Sequence, residues 1–245
     1  MSLNFAGVSS DSVNVVVERY PARPVPSRHM DVIQIPGRSG DLVYTDGAFS
    51  NITQTYEVYI RKTSADTFQK SCRKAAEWLL YPEGYQELYD SYDPDTYRLG
   101  YYTGPFDVTN ALNQFGRASI TFNCKPWRYL NTGKTAQTIT NAQILTNPTK
   151  FTALPKIVVY GSGAGNIEFV VGGYTTYNVA ISSIDNGMII DSDAMDCYRG
   201  TYNRNSLLTL TPAHEFPVLA ANSNITVFVT GGITSIELTP NWRTL

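Results

Sequence analysis

"RASITFNC", residues 117–124, decides the fold. Ala118, Ile120, Phe122 and Cys124 fall on one side of an extended chain, and Arg117, Ser119, Thr121 and Asn123 on the other. Side chains alternate across a strand, so this is a strand with one face on a core and one in water. "ITQTYEVYI" (52–60) repeats the pattern, with Ile52, Tyr56, Val58 and Ile60 on one face. "VNVVVERY" (13–20) is a third strand candidate.

One segment breaks the alternation. In "SADTFQKSCRKAAEWLL" (64–80), Phe68, Cys72, Ala75, Ala76 and Leu79 recur at helical spacing. Thr63 with Asp66 resembles a capping box, and Pro82 and Gly84 stop the helix. The expectation is one amphipathic helix lying on a sheet. Next, "YPEGYQELYDSYDPDTYRLGYY" (81–102) holds seven of the 17 tyrosines, which makes it a candidate aromatic surface. Turn signals at Pro94 and Gly100 predict short strands there.

Residues 131–156 are rich in Thr and Asn and poor in charge, which places a domain boundary around 131–135. The division expected is 1–132 and 133–245. Beyond it, "KIVVY", "NIEFVV", "TTYNVAI", "GMIID", "LLTL", "NITVFVT" and "ITSIEL" follow one another with Gly, Asn and Pro between them. That spacing predicts a β-sandwich. The fold class is therefore mainly β: a β-structure with one helix, then a sandwich.

Composition narrows function. Charged residues make up 16% of the chain, against about 25% in ordinary soluble domains. Net charge is −2 and the pI about 5.7, so no electrostatic footprint for nucleic acid is visible. No apolar run reaches the roughly 18 residues of a membrane span. The opening "MSLNFAGVSSDSV" lacks a signal-peptide layout. Cys72, Cys124 and Cys197 are far apart and unpaired in pattern, the usage of free thiols.

In "IPGRSGDLVYTDG" (35–47), Ser39 needs a base, and the only histidines are His29 and His214. The glycine spacing does not fit a nucleophile elbow, nor does "GRSGD" open a phosphate-binding helix. Gly permits positive φ and Asp accepts local backbone bonds, so a shaped turn is expected. "YGSGAGN" (160–166) lacks the helix a dinucleotide fingerprint requires and is expected as a glycine-rich hairpin tip. Asp191, Asp193 and Asp196 miss the EF-hand spacing and are expected in a solvated turn. The tyrosines of 81–102 suit half-buried strands and protein interfaces better than base stacking, since the segment holds one arginine and a surplus of acids. No catalytic, metal or cofactor site is predicted.

Four stretches together resemble the distal tail proteins of long, non-contractile-tailed bacteriophages (siphophages). They are the opening from Phe5 to Asn51, with Gly37-Arg38-Ser39-Gly40-Asp41 ahead of Asp46-Gly47; "AAEWLL" with "GYQELYDSYDPDTYRLGYY"; "GRASITFNCKPWRYL" (116–130); and the C-terminal "GMIIDSDAMDCY", "FPVLAANSNITV" and "IELTPNWRTL". Ala221 stands where many relatives have glycine. The resemblance implies a ring-forming first domain, a hexamer continuing the tail tube, and a galectin-like sandwich as the second. It implies a lumen passing DNA, with the tail tube protein, a tail-tip protein and possible receptor-binding proteins as partners. It further implies a place at the virion tail tip after assembly in the host cytoplasm, without enzyme activity or cofactor. Gly37, Arg38, Gly40 and Asp41 become candidate turn or ring-interface residues. The rivals are a carbohydrate-binding module, a tail-tip hydrolase and a tube protein.

Overall fold

A computed structural model describes residues 1–111 and 114–245, leaving aside the side chains of 110–113. The chain divides into two compact units, Met1–Arg128 with Leu245, and Tyr129–Thr244.

The first unit contains strands β1 (Leu3–Phe5), β2 (Val8–Ser9), β3 (Val15–Val17), β4 (Asp31–Ile33), β5 (Leu42–Tyr44) and β6 (Ile52–Arg61). Helix α1 (Phe68–Leu80) follows, then β7 (Gln86–Asp90), β8 (Thr96–Tyr102), β9 (Thr109–Ala111) and β10 (Phe115–Leu130). The main sheet runs β2-β1-β7-β8-β10-β6-β3. Long antiparallel pairing of β6 with β10, from Ile52–Cys124 to Arg61–Phe115, forms its centre. The alternation in both segments is obeyed: Ile52, Tyr56, Val58, Ile60, Ala118, Ile120, Phe122 and Cys124 are all buried.

Helix α1 covers that face with Phe68, Ser71, Ala75, Trp78 and Leu79. It begins four residues later than the sequence predicts. Thr67 is the N-cap, its Oγ1 accepting from the Lys70 N–H at 3.3 Å. The Thr63–Asp66 pair instead closes a turn ahead of the helix, with the Asp66 N–H donating to Thr63 Oγ1 at 3.1 Å. This frees the Asp66 carboxylate to meet Lys70 at 2.8 Å and Lys74 at 2.5 Å, and to accept from Asn14 Nδ2 at 3.1 Å. Those contacts, led by the Lys70 hydrogen bond, hold its pKa well below the usual carboxylate range. Gly100 is a second correction. It lies inside β8, not at a turn, where an added Cβ would stand 2.7 Å from Cys124 Sγ.

The second unit is built from β11 (Gln137–Ile139), β12 (Ala142–Thr146), β13 (Lys156–Val171), β14 (Tyr174–Ile181), β15 (Met188–Asp191), β16 (Asp196–Arg199), β17 (Tyr202–Asn203), β18 (Leu208–Thr211) and β19 (Asn224–Thr239). Here the expected hairpin tip at "YGSGAGN" is corrected. "KIVVY" and "NIEFVV" are two halves of one 16-residue strand, β13, and "NITVFVT" and "ITSIEL" are likewise halves of β19. The two strands pair from Lys156–Thr239 to Val171–Ile225, with register shifts between Tyr160 and Gly165.

The first half of β13 also pairs with β15, and the second half with β14, so the sheet changes layer at the shift. Both halves bury side chains in one core: Ile157, Val159, Ile190 and Leu238 from one, Ile167, Phe169, Val179 and Val227 from the other. Glycine makes the corner possible. A Cβ on Gly232 would lie 1.9 Å from the Ser162 carbonyl oxygen, and one on Gly161 2.2 Å from that of Gly232.

Between β12 and β13, Asn147 organises the Thr- and Asn-rich stretch. Its buried amide donates to the carbonyls of Phe151, Leu219 and Ala220 and accepts from the Thr149 N–H and hydroxyl. The acidic cluster makes the β15–β16 turn. Asp191 Oδ1 accepts from the N–H groups of Asp193 and Ala194, and Asp196 Oδ1 from Cys197, Asn203 and Asn205.

Candidate functional site: an exposed apolar arm

The glycine-bearing stretch singled out in the sequence sits on an arm of the first unit. Its base is pinned by the Arg28–Phe49 bridge, by the Ser50 N–H on the Ser27 carbonyl at 2.9 Å, and by the His29 N–H on the Ala48 carbonyl at 3.0 Å. The Arg28 guanidinium lies 4.7 Å over the Phe49 ring, which meets Trp127 edge-on at 5.3 Å. Asp46 accepts from the Ala48 N–H at 2.8 Å and faces His29 at 3.6 Å. The backbone bond, more than the histidine, lowers its pKa.

From this base β4 and β5 run out as a two-stranded ladder paired Asp31–Tyr44, Val32–Val43 and Ile33–Leu42, joined to no other sheet among the described residues. Gly37 (φ 82°) and Gly40 (φ 88°) shape the connection at the tip, and the Arg38 N–H closes on the Ile35 carbonyl at 3.1 Å. Both glycines stand in open space, so φ and not crowding requires them. Arg38 and Asp41 are exposed, as is Ser39, and none has a hydrogen-bonded or charged side-chain partner among the described residues. Ser39 therefore lacks the base that nucleophilic catalysis demands.

Sequence reasoning found the turn and missed the apolar surface behind it. Val32 is 56% exposed, Ile33 52%, Leu42 44%, Val43 55% and Tyr44 62%. Neighbours in a strand point to opposite faces, so both faces of the ribbon are apolar and wet. An isolated two-stranded hairpin is marginal in water, and surface of this kind marks a place where another body packs. The signal was present: "VI" and "LVY" are apolar without alternation, unlike the long strands β6 and β10.

Two other surfaces of this unit bear on function. An open groove of about 700 Å³ lies beside the end of α1, lined by Val8, Val13, Trp78, Tyr81 and Pro82. The tyrosines of 81–102 largely pair with rings of their own unit. Tyr89 stacks on Tyr97 at 5.2 Å, Tyr85 meets Tyr101 at 5.1 Å, and Tyr92 meets Tyr20 at 4.7 Å. Tyr89–Tyr97 is stacked, Tyr85–Tyr101 edge-on and Tyr92–Tyr20 tilted, so these rings pack within the unit, while Tyr81 stands exposed.

Comparisons with known proteins agree with this architecture. Residues 14–124, which include the arm, match the family described as phage tail protein RIFT-related domain. No curated protein matches the sequence. Among solved structures, the Dit protein of phage SPP1, described as a paradigm of the hub adsorption apparatus in phages infecting Gram-positive bacteria, superposes with a TM-score of 0.68 at 15% identity, covering 100% of this chain and 99% of that one. A chain of the phage p2 baseplate, in its activated conformation with strontium, gives 0.61 at 10% identity over 100% and 98%. The calcium form gives 0.56 at 11% identity over 92% and 89%. Residues 14–124 are thus similar to the phage tail protein RIFT-related domain, and along its whole length the chain shares the fold of the SPP1 Dit protein, in keeping with the resemblance to siphophage distal tail proteins.

Proposed function

We propose that the protein is a structural hub at the distal end of a siphophage tail, joining the tail tube to the tail-tip apparatus. In this reading the first unit assembles as a hexameric ring around a channel for DNA, and the second is a galectin-like sandwich projecting outward to partners. The virion tail tip is its site of action, reached after assembly in the host cytoplasm, and it performs no catalysis. The observation that carries the reading is the arm. A hub must bind copies of itself, and a ribbon apolar on both faces, held by a pinned base, is built for insertion against another body.

On this account Val32, Ile33, Leu42 and Val43 supply apolar contact with the neighbouring copy. Gly37 and Gly40 keep the tip narrow, and Arg38 and Asp41 make polar contacts at its end. The test is complementation of a phage lacking the gene. Val32→Asp with Leu42→Asp is expected to give correctly folded protein, no infectious particles and no tails bearing tips. Plaques at the wild-type number would refute the arm's role. The carbohydrate-binding alternative draws no support from the paired tyrosines, and titration with host wall polysaccharide separates it from a purely structural hub.

A further inference from the structure

The second unit ends one layer of its sheet on an unguarded edge. Among the described residues strand β18 pairs with β14 alone, in the register Ile181–Leu208, Ala180–Thr209, Val179–Leu210 and Asn178–Thr211. The Ser182 N–H donates to the Leu207 carbonyl at 2.9 Å. In an antiparallel pair, residues that exchange backbone bonds alternate with residues that turn theirs away. Thr209 and Thr211 therefore bond to β14, while Leu208 and Leu210 direct their backbone groups outward. The Leu208 N–H is taken by the Asn205 carbonyl. The Leu208 carbonyl and the Leu210 N–H and carbonyl have no partner among the described residues.

Natural sheets blunt such edges by keeping them short or with lysine, proline or inward charge. Leu208-Thr209-Leu210-Thr211 is short and ends at Pro212, but carries no charge or proline of its own. A cleft of about 360 Å³ runs beside it, walled by Leu208, Leu210, Ala213, His214 and Phe216. His214 is held at φ 66°, a left-handed conformation uncommon outside glycine, in the turn that forms the far wall.

We propose that this edge and its cleft take an extended segment of a partner polypeptide as an added β-strand. Unpaired backbone donors and acceptors in strand geometry are complementary to another strand, and the cleft takes alternate side chains of the incoming segment. A saccharide fits less well. Asn205, the one amide lining the cleft, is committed to Asp196 and to the Cys197 N–H. Phe216, the one phenyl ring lining the cleft, is half-buried against the core.

The choice of partner, a tail-tip protein, rests on the hub reading; the open edge does not. The test uses the full chain and 15-residue peptides tiling the tail-tip proteins of the same phage. Backbone amide exchange is followed by NMR. In the free chain the Leu210 amide exchanges fast and those of Thr209 and Thr211 slowly. A binding peptide then protects Leu210, and Leu210→Pro, which removes the outward N–H together with a side chain packed on the core, weakens that peptide about tenfold. A Leu210 amide already protected in the free chain overturns the open edge. Failure of every peptide, or binding that leaves Leu210 unprotected, overturns strand addition by a tail-tip partner. Displacement of the His214 resonances by wall polysaccharide in place of peptide overturns it in favour of sugar. The wild-type exchange pattern decides the matter even if Leu210→Pro does not fold, and no outcome bears on the arm.

Discussion

Two glycine-rich stretches look alike in sequence and do opposite things. "GRSGD" ends an exposed arm, where Gly37 and Gly40 have positive φ and nothing within 4 Å of an added Cβ. "GSGAG" sits in the middle of a 16-residue strand, where Gly161 and Gly165 leave room for β19 to cross at contact distance. In the first, glycine answers a local dihedral demand. In the second, it mainly answers a space demand set by residues some 70 positions away, such as Gly232 and Ile233. The first can be inferred from the turn itself; the second cannot.

The comparison breaks hardest at the corner. Gly232→Ala puts a methyl 1.9 Å from the Ser162 backbone oxygen, at the register shift between the two paired halves of the β13–β19 ladder. Overpacking against backbone belongs among the costly substitutions, about 3 kcal/mol or more, and the melting transition of the second unit should fall by at least about 10 °C in calorimetry. A melt within a degree or two of wild type would show that the corner has slack.

Acid gives the next effect, in the first unit. Asp66 has its pKa lowered in the folded state by Lys70 and then Lys74. A lowered folded pKa means stability that is present above the unfolded value, about 3.9, and lost as pH falls below it. Asp66→Asn is expected to lower the melting temperature of this unit at pH 6 and to do so less at pH 3. An equal deficit at both pH values would remove the ion pairs from the account.

Smaller still is Gly40→Ala. A left-handed alanine costs about 1–2 kcal/mol, but the arm opens locally, so the cost appears in amide exchange of residues 31–44 and barely in the global melt. Smallest is Leu42→Asp, expected to leave the melting temperature of the isolated chain unchanged within about 1 °C, because Leu42 is already exposed. A clear loss of stability from either arm variant would mean that the arm packs on its own chain.

What was legible follows the same division. The alternation of β6 and β10 and the helical spacing around Phe68 are local records of one buried face, and both appear as expected. The helix start was misplaced because Thr63–Asp66 and Thr67–Lys70 are both plausible caps, and only the ion pairs of Asp66 decide between them. Gly100 reads as a turn until Cys124 is seen opposite it. Asn147 reads as linker, although five hydrogen bonds on its amide make it a fixed point of the second unit. The arm's turn was legible from Gly37 and Gly40. Its purpose was not, because exposure on both faces is a property of the folded surface.

The central claim is that the arm joins one copy to the next. Its most direct test is mass in solution by light scattering, across a concentration series and with the tail tube protein added, for wild type and Val32→Asp/Leu42→Asp. Rings at a multiple of the 27.2 kDa chain for wild type, and folded monomers for the variant, are the predicted result. A variant that assembles as wild type does, or a wild type that stays monomeric throughout, would contradict it.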